Sequence, residues 1–256
     1  LKKVYFYLFL LLFIGIVLFP FYWQLLTSLK QPVELTQLRF FPNLKSASTR
    51  SYVYIFQEKN FGTYLINSFM VASITTLIGI TIASFAAYAI ARLKFKGKAI
   101  LLGMVLSVSM FPQIAILSPI FIFMRDMGLR NSWAGLIIPY MTFSMPLSLW
   151  YLSSFFKTIP MSLEEAAKID GCTPLQSFVK VIAPLTLPGI FTAAILVFIF
   201  AWNEYLFALT INTQDDARTM PVGITMFQGE YTIPWVETAS AIIAVTVPLA
   251  IVVLFF

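Results

Sequence analysis

A few polar side chains that could do chemistry lie inside long apolar runs. Asn203 and Glu204 interrupt the stretch FIFAWNEYLFAL, and Gln113 lies between two prolines in another apolar run. An ionisable residue within a membrane segment is by default a candidate functional residue, and amides and carboxylates beside aromatic rings suit a hydroxyl-rich ligand. We therefore predict that these side chains line a path for a substrate. Weaker candidates of the same kind are Thr142, Ser144 and Trp202.

Glu204 has a second interpretation that the sequence leaves open. It lies about 19 residues after Leu185, which is roughly 29 Å along a helix. A hydrocarbon core about 30 Å thick would place it near the outer interface, where its carboxylate reaches water. Asn203 and Glu204 are therefore equally consistent with a translocation path and with a solvated span end.

The composition argues against chemistry by this chain alone. It has no histidine, which removes the commonest general base and transition-metal ligand, and its one cysteine, Cys172, cannot form an internal disulfide. The sequence contains no GxGxxG, Walker A, CxxC or metal-spaced cluster, so we expect no metal and no bound cofactor. The net charge of +6 is scattered over loops, which suits a membrane surface and not a nucleic acid.

The hydrophobic content predicts an all-α integral membrane protein. Of the 256 residues, 59% are hydrophobic and 11% are charged, whereas soluble domains carry about 25% charged residues. We place six spans, within one transmembrane domain, at about 4–26, 62–91, 99–124, 133–156, 185–209 and 237–256. Because the sequence starts at Leu1 and ends at Phe256 within an apolar run, we expect the native chain to extend beyond both ends.

The positive charges decide the orientation only narrowly. With both termini inside, nine of the 17 Lys and Arg residues fall on the inner side and eight on the outer side. The dense basic loop 92–98 and the pair Lys2 and Lys3 favour the cytoplasm for the inner side, and the loop before the last span is acidic. We therefore predict that both termini are cytoplasmic.

Segment 160–183 is the long polar stretch between two spans on the inner side. Ser162 followed by Glu165 is a capping box, which predicts that a helix begins there, and Gly171 can end it in the left-handed conformation. Threonine, proline and glutamine within 173–176 repeat the start signal for a second helix.

Both predicted helices of this segment are amphipathic. Their apolar stripes consist of Leu163, Ala166 and Ala167 in the first helix and Leu175, Phe178, Val179 and Ile182 in the second. Two short helices of this kind can dock into the groove of a partner protein.

The spacing within the segment resembles a known family. The tripeptide EAA at 165–167 is followed after three residues by Gly171, after nine more by Val181, and then by Ala183 and Pro184. This pattern is similar to the EAA loop of bacterial ABC importer permeases, which has isoleucine and leucine in place of Val181 and Ala183. Nearly the whole chain resembles the permease subunits of carbohydrate importers of the maltose and trehalose type.

The resemblance implies a type I ABC importer permease in the bacterial cytoplasmic (inner) membrane, with six spans and a cytoplasmic coupling helix between spans four and five. In the family, this loop sits in a cleft of the ATP-hydrolysing subunit. By resemblance, coupling to that subunit is assigned to Ser162, Glu164, Glu165, Ala166, Ala167, Asp170 and Gly171. The chain would be a transport subunit and not an enzyme.

The resemblance also implies partners. These are a second, homologous permease, two ATPase subunits that bind ATP and magnesium, and an extracytoplasmic sugar-binding protein. The outer loop between spans five and six would contact the binding protein, and its candidate residues are Gln214, Asp215, Asp216, Gln228 and Glu230. The cargo would be a disaccharide or a related oligosaccharide or glycoside.

The alternative is a secondary transporter driven by protons or sodium. Such a protein needs titratable or cation-coordinating residues near the middle of the membrane, and the embedded acid found in the sequence, Glu204, lies near an interface by the estimate above. A membrane-embedded enzyme fits less well, because histidine and paired carboxylates at depth are absent.

Overall fold

The computed structural model describes residues 2–36, 46–228 and 233–255, and none of them forms a strand. The helices are α1 (Lys2–Ser28), α2 (Arg50–Glu58), α3 (Phe61–Arg92), α4 (Lys98–Ser109), α5 (Gln113–Asp126), α6 (Trp133–Lys157), α7 (Met161–Ile169), α8 (Pro174–Ser177), α9 (Ala183–Leu185), α10 (Leu187–Asn203), α11 (Leu206–Ile211), α12 (Met220–Thr225) and α13 (Trp235–Phe255). The chain divides into two compact units, Leu1–Leu65 with Met220–Val252 and Ile66–Thr219 with Val253–Phe256. The predicted all-helical class is confirmed.

The first unit has a small aromatic core. Phe61 and Tyr64, at the start of α3, pack with Met220 and Phe227. The end of α1 joins this unit through polar contacts, since the Ser51 hydroxyl donates to the Ser28 carbonyl at 3.1 Å. Most side chains of α1 are exposed, whereas Leu26 and Ser28 in its last turn are buried.

The second unit is built around α3, α6 and α10. Small residues of α3, Ala83 and Ala87, are fully buried and let the helices approach closely. Around them lie Leu152 of α6 and Val197 of α10. Ser132 caps the start of α6, where the fourth span was predicted to open.

Among the described residues, fewer helices are long and apolar enough to cross a membrane than the six predicted spans require. Three of them, α1, α3 and α13, are long and apolar enough to cross a membrane, and two bent pairs could raise the number to five. The two prolines and four serines of α6 lower the hydropathy of the predicted fourth span, although this helix has 25 residues. The six-span topology therefore stays a prediction.

Two predicted spans are interrupted. The third, predicted over 99–124 with interruptions at Pro112 and Pro119, bends by 88° between α4 and α5, because Pro112 has no amide hydrogen to continue the helix and α5 starts anew at Gln113. The fifth, predicted over 185–209, ends at Asn203 and resumes at Leu206. The break in the third span follows its proline, whereas a continuous helix was expected for the fifth.

Candidate functional site

The first helix of segment 160–183 starts two residues earlier than its predicted capping box requires. Helix α7 begins at Met161 with Pro160 as its N-cap, and Pro160 makes no side-chain cap hydrogen bond. The predicted capping box of Ser162 and Glu165 is therefore wrong, because Ser162 already lies inside the helix. Both side chains are exposed instead.

The end of α7 follows the prediction for Gly171. This glycine has φ +80°, its amide donates to the Lys168 carbonyl at 3.0 Å, and the Cys172 amide donates to the Ala167 carbonyl at 2.9 Å. These two bonds form a Schellman motif, which satisfies carbonyls at the helix end and turns the chain sharply.

The second half of the segment also starts as predicted. The Thr173 hydroxyl accepts from the Gln176 amide at 3.3 Å, and the Thr173 amide donates to the Gln176 side chain at 2.9 Å, so the capping box is complete. The helix then passes through a π-helical stretch, Phe178–Ile182. After Leu185 it bends by 80° into α10. The buried Thr186 hydroxyl, which donates to the Ile182 carbonyl at 2.8 Å, lies at this bend.

The apolar stripes divide between the interior and the surface. Phe178 and Ile182 are buried, and they join the core of the second unit. Leu175 and Val179 of the second stripe are 61% and 52% exposed, and Ile169, which belongs to neither predicted stripe, is 86% exposed. The predicted stripes are therefore only half covered, because the chain turns these side chains away from its own core. The exposed apolar side chains lie beside Glu165, Ala166, Asp170 and Gly171, which are also exposed.

Glu164 faces the opposite way from Glu165. It is buried and pairs with Arg92 at the end of α3, with 2.5 Å between the Nε and Oε1 atoms. Ala167, one turn later, is buried on the same side of α7. Arg92 was interpreted in the sequence only as a topological charge, since no local pattern links it to a carboxylate 72 positions away.

The two helix breaks share one open recess. Gln113, at the start of α5, and Asn203 and Glu204, after α10, line a recess of about 410 Å³ together with Tyr205 and apolar side chains. The structure therefore brings together three of the predicted path residues, although Gln113 is 90 positions away from Asn203 in the sequence.

Within this recess Glu204 has a definite structural role. Its side chain is buried, with 6% exposed, and its two oxygens accept the amides of Phe207 at 2.9 Å and Ala208 at 3.2 Å. The carboxylate thus caps the start of α11, so the interpretation of Glu204 as a solvated span end does not describe this structure. The neighbouring Asn203 is exposed, and its amide donates to the Ile199 carbonyl at 2.8 Å.

The three weaker path candidates lie apart from the recess. The Thr142 hydroxyl donates to the Ile138 carbonyl within α6 at 3.0 Å. Ser144 lines a separate, mainly apolar cavity of about 80 Å³ between α6 and α10. Trp202 is buried, stacks on Phe198 with ring centroids 5.5 Å apart, and its indole N–H has no hydrogen-bond partner among the described residues.

The first part of the predicted binding-protein loop is rigidly held. The Asn131 side-chain oxygen accepts the amides of Thr213 at 2.7 Å and Gln214 at 3.0 Å. The Asn67 side chain donates to the carbonyls of Asp216 at 2.8 Å and Arg218 at 2.9 Å. Gln214, Asp215 and Asp216 consequently project from a fixed backbone into solvent. Gln228 is also exposed, whereas Glu230 lies outside the described residues.

The Asn67 side chain is expected to be worth about 2 kcal/mol of unfolding free energy, because Asn67→Ala removes two donated bonds and leaves the Trp133 indole N–H without its acceptor. Thermal unfolding of the purified protein measures this loss. Gln57→Ala, at an exposed position of α2, is the matched control and should stay within about 0.5 kcal/mol of wild type. Equal stability of the two variants would contradict the role of Asn67.

Comparison with known proteins agrees with this architecture. Residues 79–256 match the family described as the inner membrane component of binding-protein-dependent transport systems. The sulfoquinovosyl glycerol transport system permease protein SmoH of Agrobacterium fabrum is 44% identical over 241 residues, 93% of this chain and 84% of that protein. The trehalose transport system permease protein SugB of Mycobacterium tuberculosis is 43% identical over 247 residues, 96% of this chain and 89% of that protein.

A solved structure shares the fold. It is the crystal structure of a bacterial ABC transporter involved in the import of the acidic polysaccharide alginate, with a TM-score of 0.82 at 21% identity over 98% of this chain and 94% of that chain. This chain belongs to the family of inner membrane components of binding-protein-dependent transport systems. The resemblance to carbohydrate importer permeases is confirmed, and the matches favour ABC import over the ion-gradient-driven alternative.

Proposed function

We propose that this chain is the permease subunit of an ATP-driven importer that brings a sugar or glycoside into the cytoplasm. In this proposal, segment 160–183 is the coupling segment. The observation that carries the proposal is its exposed apolar surface, formed by Ile169, Leu175 and Val179. Apolar side chains on a water-facing loop are typical of a surface that a partner covers. The Schellman turn at Gly171 fixes the path of the chain between Ile169 and Leu175.

The partner that covers this surface is an ATPase subunit. Two such subunits bind ATP and magnesium, and their closure draws together the coupling segments of this chain and of a second, similar permease. The spans then rotate and open the cavity to an extracytoplasmic binding protein. This chain supplies no catalytic group, and the free energy of ATP enters through segment 160–183.

The recess at the two helix breaks is the proposed contribution of this chain to the sugar path. Gln113 and Asn203 offer amides without a net charge, and aromatic side chains lie beside them. Such a lining suits the hydroxyl groups of a sugar. The names of the two relatives, a trehalose and a sulfoquinovosyl glycerol permease, place the cargo among sugars and glycosides.

The proposed topology has six spans, with both termini in the cytoplasm of a bacterial cell. It puts the basic loop 92–98 and the coupling segment on the same side, and it puts Gln214, Asp215 and Asp216 on the outer side. These three exposed residues are the proposed contacts for the sugar-binding protein.

Co-purification tests the coupling surface. The tagged chain is expressed with its neighbouring transport subunits and recovered in mild detergent, as wild type and with Ile169→Asp combined with Leu175→Asp. We expect at least about a tenfold loss of ATPase subunits from the double variant, because charges replace the centre of an apolar contact. Phe95→Asp, at an exposed apolar position of the basic loop, is the control and should recover them like wild type.

Uptake by proteoliposomes separates the two energy sources. Trehalose uptake in the presence of the binding protein is expected to require internal ATP, to stop with vanadate and to be insensitive to ionophores. Failure of the wild type to recover an ATPase, or full recovery by the double variant, would overturn the proposed coupling surface.

A further inference from the structure

Arg92 is buried at the point where α3 ends against the coupling segment. The exposed fractions of the Arg92 and Glu164 side chains are 6% and 5%, and their charged groups are in direct contact. A second guanidinium nitrogen of Arg92 donates to the carbonyl of Ile159 at 2.9 Å, and a third donates to the Met161 sulfur at 3.1 Å. One side chain thus binds both α7 and the linker that leads into it.

Tyr88 strengthens this contact from one turn earlier in α3. Its hydroxyl donates to the other Glu164 oxygen at 3.3 Å. Its ring packs on Phe178 in the second half of the segment, with centroids 4.7 Å apart. Residues four apart in a helix lie on the same face, so Tyr88 and Arg92 together hold both halves of the coupling segment.

The chain is irregular on both sides of the coupling segment, where the segment connects to α6 and to α10. Between α6 and α7 the chain leaves the helical path at residues 158–160. On the other side, a π-helical stretch and the 80° bend at Thr186 separate the segment from α10. A displacement of the segment can therefore be absorbed by these two irregular connections before it reaches α6 or α10. The contact with α3, in contrast, is a buried ion pair.

A purely topological role does not account for the position of Arg92. A charge that only sets membrane orientation needs to reach water or lipid headgroups. The Arg92 guanidinium is instead buried against the Glu164 carboxylate and the Ile159 carbonyl. Removal of either charged side chain is costly, because the other charge then remains buried without its partner.

We infer that Arg92 is a positioning residue that makes the coupling segment and α3 move as one body, through its contact with Glu164. The inference rests on the proposed function, since it assigns the route by which a movement of the ATPase subunits reaches the second predicted span. Glu165, on the exposed side of α7, would contact the ATPase, and Glu164, on the buried side, would transmit the movement to α3.

Distance measurement between spin labels tests this inference. Labels are placed at Lys168→Cys in α7 and at Leu93→Cys, whose amide continues the α3 hydrogen bonds at 2.9 Å, in a Cys172→Ser background. The co-purified complex is measured without nucleotide and after trapping with ATP and vanadate. For wild type we expect one narrow distance distribution that is the same in both states.

Arg92→Gln is expected to broaden this distribution about twofold or more, because loss of one partner leaves the joint without its buried pair. Recovery of ATPase subunits should stay close to wild type, since the exposed apolar surface is unchanged. Arg92→Lys keeps the charge and should restore part of the narrow distribution. Lys94→Gln, an exposed charge two positions away, is the matched control and should change nothing.

The outcomes distinguish a failure of this inference from a failure of the proposed function. An unchanged, narrow distribution in Arg92→Gln overturns the inference even when ATPase recovery is normal. Absence of ATPase from the wild-type complex would instead refute the proposed function. If Arg92→Gln does not fold, Glu164→Gln carries the same test, and a narrow distribution in that variant would overturn the inference.

Discussion

Replacement of Gly135 by alanine is expected to lower the unfolding free energy by about 3 kcal/mol, although alanine is the better helix former. A Cβ atom at this position would collide with the carbonyl oxygen of Leu129, and it would lie 3.2 Å from the side chain of Ile211. The Leu129 carbonyl cannot swing away freely, because it accepts the Ser132 hydroxyl at 2.6 Å. The same hydroxyl oxygen accepts the Gly135 amide at 3.2 Å, so both sides of the clash are fixed.

Detergent unfolding of the purified protein measures this loss, and Gly103→Ala provides the control. Gly103 lies within α4 and has open space where its Cβ would be. Its substitution should therefore leave stability unchanged or raise it by roughly 0.5–1 kcal/mol through helix propensity. A Gly135→Ala protein as stable as Gly103→Ala would show that the turn before α6 can relax, contrary to its hydrogen bonding.

The sequence predicts local features of the coupling segment well, because their causes are local. The capping box at Thr173 and Gln176 and the left-handed Gly171 each depend on residues within one helical turn. The false capping box at Ser162 has the same residue pattern as the true one. At the false box Pro160 occupies the N-cap position and α7 starts directly after it, so Ser162 already lies within the first turn.

Contacts across the chain could not be predicted in this way. Gly135 is one of 11 glycines, and its importance comes from its close approach to the Leu129 carbonyl and the Ile211 side chain. Arg92 and Glu164 are typical surface charges by sequence, and their burial follows from how α3 and α7 pack. Amphipathic stripes likewise identify apolar residues without saying whether this chain or a partner covers them, as Phe178 and Leu175 illustrate.

Of the two helix breaks that line the recess, the sequence predicts one and not the other. Proline beside Gln113 signals a break in its span, and the structure confirms that break. The break beside Glu204 carries no proline or glycine, so hydropathy alone predicts a continuous helix through it. The recess that joins Gln113 with Asn203 arises only when both breaks are present, which is why the sequence could nominate the residues but not their common site.

Replacement of Glu204 by leucine is expected to cost about 3 kcal/mol of unfolding free energy. The carboxylate accepts two amides in the first turn of α11, and neither amide finds water as a substitute because Phe207 and Ala208 are fully buried. Glu204→Gln keeps one acceptor oxygen and should lose less than half of that amount. Detergent unfolding of both variants against wild type measures the difference.

Transport by the same variants separates structural capping from contact with the cargo. If Glu204 acts as a cap, Glu204→Gln should keep most of the uptake per folded complex. Gln113→Ala and Asn203→Ala, which change the lining of the recess without freeing a backbone amide, should lower uptake and leave stability within about 0.5 kcal/mol of wild type. Wild-type stability of Glu204→Leu would contradict the cap. A loss of uptake in Glu204→Gln at full stability would assign the carboxylate to the path itself.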